Sequence, residues 1–119
     1  SPDFGINGVL DRFGQIAPKV LFTADGYFYA GKTLDSLGPI ASVLQRLPSV
    51  RRVVVVPYVA GSLAGRGLAG LADESPPPAS AGPALRDATP FADFGTHGAP
   101  LSFLRLPFDH PLYILYSSG

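Results

Sequence analysis

The sequence predicts an α/β fold, a partial parallel (mixed) sheet with flanking helices, and three observations carry that expectation. Val53–Val56 is a continuous β-branched run bounded by Arg51-Arg52 and Pro57. Val20–Thr23 and Leu112–Tyr116 are further short apolar runs with no polar alternation. Runs of this kind fit strands buried on both faces, as in a parallel sheet. Two stretches with apolar residues at helical spacing precede and separate the first two runs, so helix and strand alternate along the chain.

Taken in order, Ser1-Pro2-Asp3 reads as a helix start, with serine at the N-cap, proline at the first helical position and aspartate near the positive end of the dipole. Ile6, Val9, Leu10, Phe13 and Ile16 then form one apolar face, and Pro18 stops the helix. Gly5, Gly8 and Gly14 lower its intrinsic propensity, so it needs tertiary packing. Val20–Thr23 is the first strand. Asp25-Gly26 follows, a dipeptide favoured where both central turn residues take positive φ. It is read as the turn of a small hairpin, with Tyr27–Ala30 returning and Gly31-Lys32 leading away. A second helix is expected from Ser36, as N-cap, to Arg46, with Pro39 in its first turn, Leu37, Ile40, Ala41, Leu44 and Leu47 on one face, and Pro48 as its stop. Val53–Val56 is then the clearest strand, and the order strand, helix, strand implies a right-handed parallel crossover.

From 58 to 100 alanine, glycine, proline and serine dominate, with Pro76-Pro77-Pro78 in the middle. Few large side chains are available there to offset the entropy of ordering, and the stretch is expected to be a long mobile surface connection within one α/β domain spanning 1–119. Phe91 and Phe94 near its end are placed to hold a helical turn back on the domain. Leu101–Leu106 is read as a short edge segment leading into the closing strand.

Composition removes several function classes. The 119 residues carry nine basic and nine acidic side chains. No net field therefore marks nucleic acid or an anionic membrane as partner, and no apolar run reaches membrane-spanning length. There is no cysteine and there are two histidines, His97 and His110. Disulfides and cysteine catalysis are excluded within the segment, a zinc site is disfavoured, and a cytoplasmic setting is expected.

No nucleophile–base–acid set is legible. Ser117 and His110 sit at opposite ends of one expected strand, about 17 Å apart for five residues, beyond hydrogen-bonding reach. Asp109-His110-Pro111 reads as turn chemistry, and His97, between Thr96 and Gly98, as a solvated loop histidine. The arginine pair before Val53 has two readings, a phosphate clamp or a solvated strand entrance; charged side chains seldom bury unpaired, which favours the second. The stretch with a mechanistic reading is Ser117-Ser118-Gly119. Two hydroxyls and a glycine at the mouth of a buried strand are how a phosphate-cradling loop begins, because glycine admits close backbone approach to an anion. The sequence stops inside that motif, so a piece of a longer protein is expected.

Ile114-Leu-Tyr-Ser-Ser-Gly119 resembles the opening of the nucleotide-binding signature of the adenylate-forming enzymes, the acyl-CoA synthetase and luciferase superfamily. Within it, Ser1-Pro-Asp-Phe-Gly, Leu10-Asp-Arg-Phe-Gly-Gln-Ile, Pro18-Lys-Val-Leu-Phe-Thr, Asp25-Gly-Tyr, Gly31-Lys32, Val53-Val-Val-Val-Pro57 and Pro107-Phe-Asp-His-Pro111 together resemble the acetoacetyl-CoA synthetase family. The resemblance implies a piece of the large N-terminal α/β domain of an enzyme that joins acetoacetate to CoA with ATP and Mg2+, through an acyl-adenylate. The segment alone would be inactive, its partners being acetoacetate, ATP, CoA and the rest of the parent chain. Ser117, Ser118 and Gly119 would start the loop around the β- and γ-phosphates, as donors and not nucleophiles. In related acetyl-CoA synthetases an Arg-Ala-Gly-Arg sequence contacts the CoA nucleotide; here it reads Tyr29-Ala30-Gly31-Lys32. Lys32 keeps a charge for a phosphate and Tyr29 a ring for adenine, against a plain solvated hairpin end. Two alternatives stand beside this reading: a non-catalytic α/β binding or scaffold module, and a ligase of the same superfamily for another short-chain acid.

Overall fold

The computed structural model describes residues 4–59, 85 and 88–117. Helix α1 (Ile6–Ile16) is followed by β1 (Val20–Ala24), a hairpin of β2 (Gly26–Tyr29) and β3 (Lys32–Asp35), helix α2 (Leu37–Arg46), β4 (Arg52–Val56) and the two-residue β5 (Thr89–Pro90). A single 3-10 turn at Phe91–Asp93 continues from β5. Strands β1, β4 and β5 form one sheet in that order, and β2 and β3 a separate two-stranded ribbon. β1 pairs with β4 in parallel, Val20 opposite Arg52 through Ala24 opposite Val56, and β5 pairs in parallel with β4 at Val54 and Val55. The α/β class and the parallel crossover through α2 are thus as expected.

Side chains alternate across a strand, and the core follows that alternation. Leu21, Val53 and Val55 point to the face where Leu37, Val43, Leu44 and Leu47 pack, with Val9, Leu10 and Phe13 of α1 against the same cluster. Both helices therefore cover one face. On the other face Val54 is also fully buried, and the neighbouring Phe22 meets Phe94 edge to face at 5.2 Å. This contact returns Phe94 onto the domain as expected, while Phe91 is 52% exposed. Val53 and Val54 are both 0% exposed, so each contributes about 1.5–3 kcal/mol of burial whichever way it points. That double burial is why β4 reads as an unbroken apolar run.

Four local expectations are corrected. Helix α1 begins at Ile6 behind an extended Gly5 (φ −61°, ψ 168°) instead of behind Ser1; residues 1–3 lie outside the described residues. Its end is as expected, because Ala17, ahead of Pro18, leaves the helical region for φ 46°. The hairpin turn is Ala30-Gly31, with φ 48° and 74°, and not Asp25-Gly26. Tyr29 opposite Lys32 leaves two turn residues, the length that demands positive φ at both. Ser36 stands at the N-cap position of helix α2 as expected, but its side chain makes no cap bond: Asp35 Oδ1 accepts the Leu37 N–H at 3.1 Å and Oδ2 the Gly38 N–H at 3.0 Å. Ser36 adopts helical backbone angles, so its hydroxyl does not face the orphan donors, whereas the last residue of β3 approaches them from outside.

The fourth correction concerns the closing run. Leu112–Tyr116 forms no strand among the described residues, and Leu112 and Leu115 are 77% and 86% exposed. Leu101–Leu106 is likewise irregular and exposed. A strand exists only where a neighbour takes its backbone groups, and none of the described strands pairs with either run. Of the 58–100 connection, residues 60–84, 86 and 87 lie outside the described residues, while 89–93 are strand and turn. Thr89-Pro90 escaped notice in the sequence because two residues, one a proline without an N–H, carry no strand signature.

With Asp35 as the cap of α2, Asp35→Ala should lower stability by about 1–2 kcal/mol and Ser36→Ala by less than about 0.5 kcal/mol in urea unfolding monitored by circular dichroism.

Candidate ligand site at the carboxyl end of the sheet

The parallel strands β1 and β4 end together at Ala24 and Val56, and the residue after β1 organises what lies beyond them. Asp25 N–H donates to Val56 O at 3.1 Å, extending the ladder by one step, and Asp25 O accepts the Ser36 N–H at 3.1 Å. Its carboxylate Oδ1 accepts two further backbone donors, Tyr58 N–H and Val59 N–H, each at 2.8 Å. Asp25 is 8% exposed and Val59 is buried. A buried carboxylate is tolerated where donors of this kind meet it, and a buried N–H such as that of Val59 needs an acceptor. One side chain thereby ties the exit of β4 to the exit of β1, while its backbone closes the neck of the hairpin.

Gly26 completes the neck. A Cβ built there would stand 2.5 Å from Leu34 O and 2.6 Å from Val59 Cγ2. The ribbon backbone thus passes directly under Val59, and only glycine leaves room for it.

A cavity of about 1140 Å³ opens beside this end of the sheet. Its apolar wall is Val9 and Phe13 of α1, Leu21 of β1, and Ile40 and Val43 of α2; its polar part is Tyr27, Asp35, Ser36 and Tyr58; and Ile114–Ser117 also lines it. The closing run is brought there by Tyr116, whose Oη donates to Arg12 O of α1 at 2.6 Å. Parallel α/β sheets receive ligands at the carboxyl ends of their strands, and this cavity runs along β1 from Leu21 to Ala24 to reach that end at Tyr27, Asp35, Ser36 and Tyr58.

Of the residues singled out in the sequence, Ser117 is exposed and lines the cavity, and Ser118 and Gly119 lie outside the described residues. Tyr29 and Lys32 stand directly opposite each other at the hairpin tip, both exposed, away from the cavity lining. Lys32 and Tyr29 are therefore one unit and Ser117 another. His110 closes a turn through its N–H to Pro107 O at 3.1 Å, and His97 lies in the turn closed by Ala99 N–H to Thr96 O at 3.3 Å. Arg51 and Arg52 are exposed at the amino end of β4, where both backbone N–H groups donate to Lys19 O, at 2.8 and 3.3 Å. Among the described residues no three His, Cys, Asp or Glu side chains converge as metal ligands, and no helix is long and apolar enough to cross a membrane.

Two site-forming residues were missed from sequence. Asp25 looked like turn chemistry because aspartate before glycine is the commonest turn signature, while its partners are 33 and 34 positions away. Tyr58 lay at the edge of the Ala/Gly/Pro-rich stretch; its ring meets Phe28 of the hairpin at 5.9 Å between centroids. Gly26→Ala should cost about 1–3 kcal/mol by overpacking the neck, read as a fall in melting temperature, while Gly14→Ala, inside α1 with open space around its Cβ, should not.

No family model matches the sequence. The whole chain aligns with acetoacetyl-coenzyme A synthetase of Rhizobium meliloti at 44% identity over 121 residues, covering 16% of that protein. It aligns with malonamoyl-CoA synthetase of Penicillium aethiopicum at 38% identity over 120 residues, again using all of this chain and 15% of the relative. Among solved structures, acetoacetyl-CoA synthetase from Streptomyces lividans superposes with a TM-score of 0.70 at 36% identity, covering 99% of this chain and 15% of that one. The chain thus spans about one sixth of the length of the relatives it matches, and within that share it carries their fold.

Proposed function

We propose that this chain, homologous along its whole length to one segment of the acetoacetyl-CoA synthetases, is the part of an AMP-forming acid–thiol ligase that leads into its ATP phosphate loop. The observation that carries the reading is the collinear match of the whole chain at 44% identity. The cavity at the carboxyl end of the sheet, with Ser117 on its wall, agrees with it.

The reaction has two steps. A carboxylate oxygen of acetoacetate attacks the α-phosphorus of ATP, the bond to the bridging oxygen breaks, and pyrophosphate leaves with the electron pair. The CoA thiol, losing its proton, then attacks the acyl carbon of the adenylate and AMP departs, leaving the thioester. Phosphoryl chemistry of this kind asks the protein for positioning and charge stabilisation more than for a nucleophile. Ser117, Ser118 and Gly119 supply hydroxyl and backbone donors and close approach to the β- and γ-phosphates. Tyr29 and Lys32 meet the nucleotide end of CoA, the lysine as a point charge without arginine's bidentate fork. Mg2+ would neutralise phosphate charge in such an enzyme. Among the described residues no three His, Cys, Asp or Glu side chains converge to hold it, and the roles given to this segment are those of its own donors and charges.

Acetoacetate-dependent ATP–pyrophosphate exchange by the full-length protein tests the assignment. Exchange that responds to acetoacetate and not to acetate supports it, and indifference to acetoacetate overturns it. The 38% identity to a malonamoyl-CoA synthetase favours one second reading, the same chemistry on another short β-substituted acid, for which malonamate is the competing substrate to assay. In either case Ser117→Ala should slow exchange about tenfold through the loss of one phosphate donor. Lys32→Ala should raise the KM for CoA about threefold to tenfold while leaving the adenylation step far less affected.

A further inference from the structure

Asp25 is a buried acid to which the proposed reaction assigns no step. We propose that it is a positioning residue for CoA, acting through Tyr58 and Phe28 to fix the hairpin that carries Tyr29 and Lys32. The proposal rests on the reading that this hairpin meets CoA.

The ribbon of β2 and β3 shares no hydrogen-bonded ladder with the three-stranded sheet, and an isolated two-stranded hairpin is marginal by itself. Its direction is therefore set where it touches the rest of the molecule. One such place is the neck, where Asp25 O holds Ser36 N–H at 3.1 Å and Gly26 passes beneath Val59. Another is Phe28, whose ring meets that of Tyr58 at 5.9 Å, one residue before Tyr29 and the tip. Tyr58 is 63% exposed, so burial does not hold it. Its backbone is held by the Asp25 carboxylate, through its own N–H and that of Val59, both at 2.8 Å. The same residue thus fixes the root of the ribbon by its carbonyl and the side support of the ribbon by its carboxylate. Without the carboxylate, Tyr58 loses its fixed position and Phe28 its partner, and Lys32 and Tyr29 swing relative to the sheet. A displacement near 1 Å is enough to spoil a positioned contact. Adenylation precedes CoA, so a defect in hairpin placement falls on the second half-reaction.

The test uses the full-length protein that carries this chain, with CoA as the varied substrate and pyrophosphate exchange, which needs no CoA, as the second measurement. Asp25→Ala should raise the KM for CoA about tenfold, at least about fivefold more than it slows exchange. Asp25→Asn should recover most of that loss, because an amide Oδ1 still accepts both N–H groups. Phe28→Ala, at an exposed ring, should raise the KM for CoA about threefold without unfolding the protein. An unchanged KM for CoA in folded Asp25→Ala, or equal losses in both half-reactions, overturns the proposal. Should Asp25→Ala not fold, an unchanged KM in Phe28→Ala overturns it instead. Lys32→Ala separates the two levels. If its KM for CoA is normal, the hairpin does not meet CoA and both readings fall; if it is raised while the Asp25 and Phe28 variants are normal, only the positioning role falls.

Discussion

The carboxylate of Asp25 is the constraint on which the functional end of this domain depends. A parallel pair such as β1 and β4 delivers two chain ends to the same edge, and nothing in the ladder directs the chain beyond them. Here both exits are directed by one residue, whose N–H continues the ladder and whose Oδ1 takes the two donors after β4. Burial makes the arrangement stringent, since at 8% exposure neither the carboxylate nor the buried Val59 N–H has bulk water as a substitute. The hairpin, the β4 exit and the polar end of the cavity all inherit their positions from it.

Around that tie, the helices do a different job. α1 and α2 lie on one face of the sheet and fill it with Leu, Val, Ile and Phe, while Arg46 of α2 reaches Asn7 of α1 at 3.3 Å. The opposite face is covered at Val54 and shared between Phe22 and Phe94. The strand ends are thus held on a packed platform, and the residues at the polar end of the cavity sit on connections beyond it, the usual division between scaffold and loops. Ser117 arrives by another route, through the Tyr116 hydroxyl on Arg12 O, so the cavity joins one wall built by the sheet to one built by the end of the chain.

Much of the scaffold was legible because its signals are local. Val53–Val56 could only be an interior strand, and Pro18 and Pro48 mark helix stops by sterics alone. The site was legible in part. Ser117 was singled out by two hydroxyls and a glycine after an apolar run, and the Tyr29–Lys32 pair by likeness to a family; the sequence offered no way to see that only Ser117 would line the cavity. Leu112–Tyr116 shows the limit from the other side: its composition is that of a strand buried on both faces, yet a strand also needs a neighbour, and no described strand is beside it.

What the sequence by itself determined was therefore the class of each element: two amphipathic helices by their 3.6-residue period, β1 and β4 by continuous apolar runs, and a hairpin wherever the glycines fell. Tertiary structure decided how those elements are joined. It moved the hairpin turn from Asp25-Gly26 to Ala30-Gly31 and gave the cap bonds of α2 to the Asp35 carboxylate instead of the Ser36 hydroxyl. It also turned Asp25 from a turn residue into the tie between two strand exits 33 positions apart. The physical reasons differ. The two-residue turn demands positive φ, which Ala30 and Gly31 adopt, and Asp35 reaches donors only two and three residues ahead of it. For Asp25 alone, which donors come within reach is settled by the packing of β1 against β4 and not by the residues adjacent in the chain.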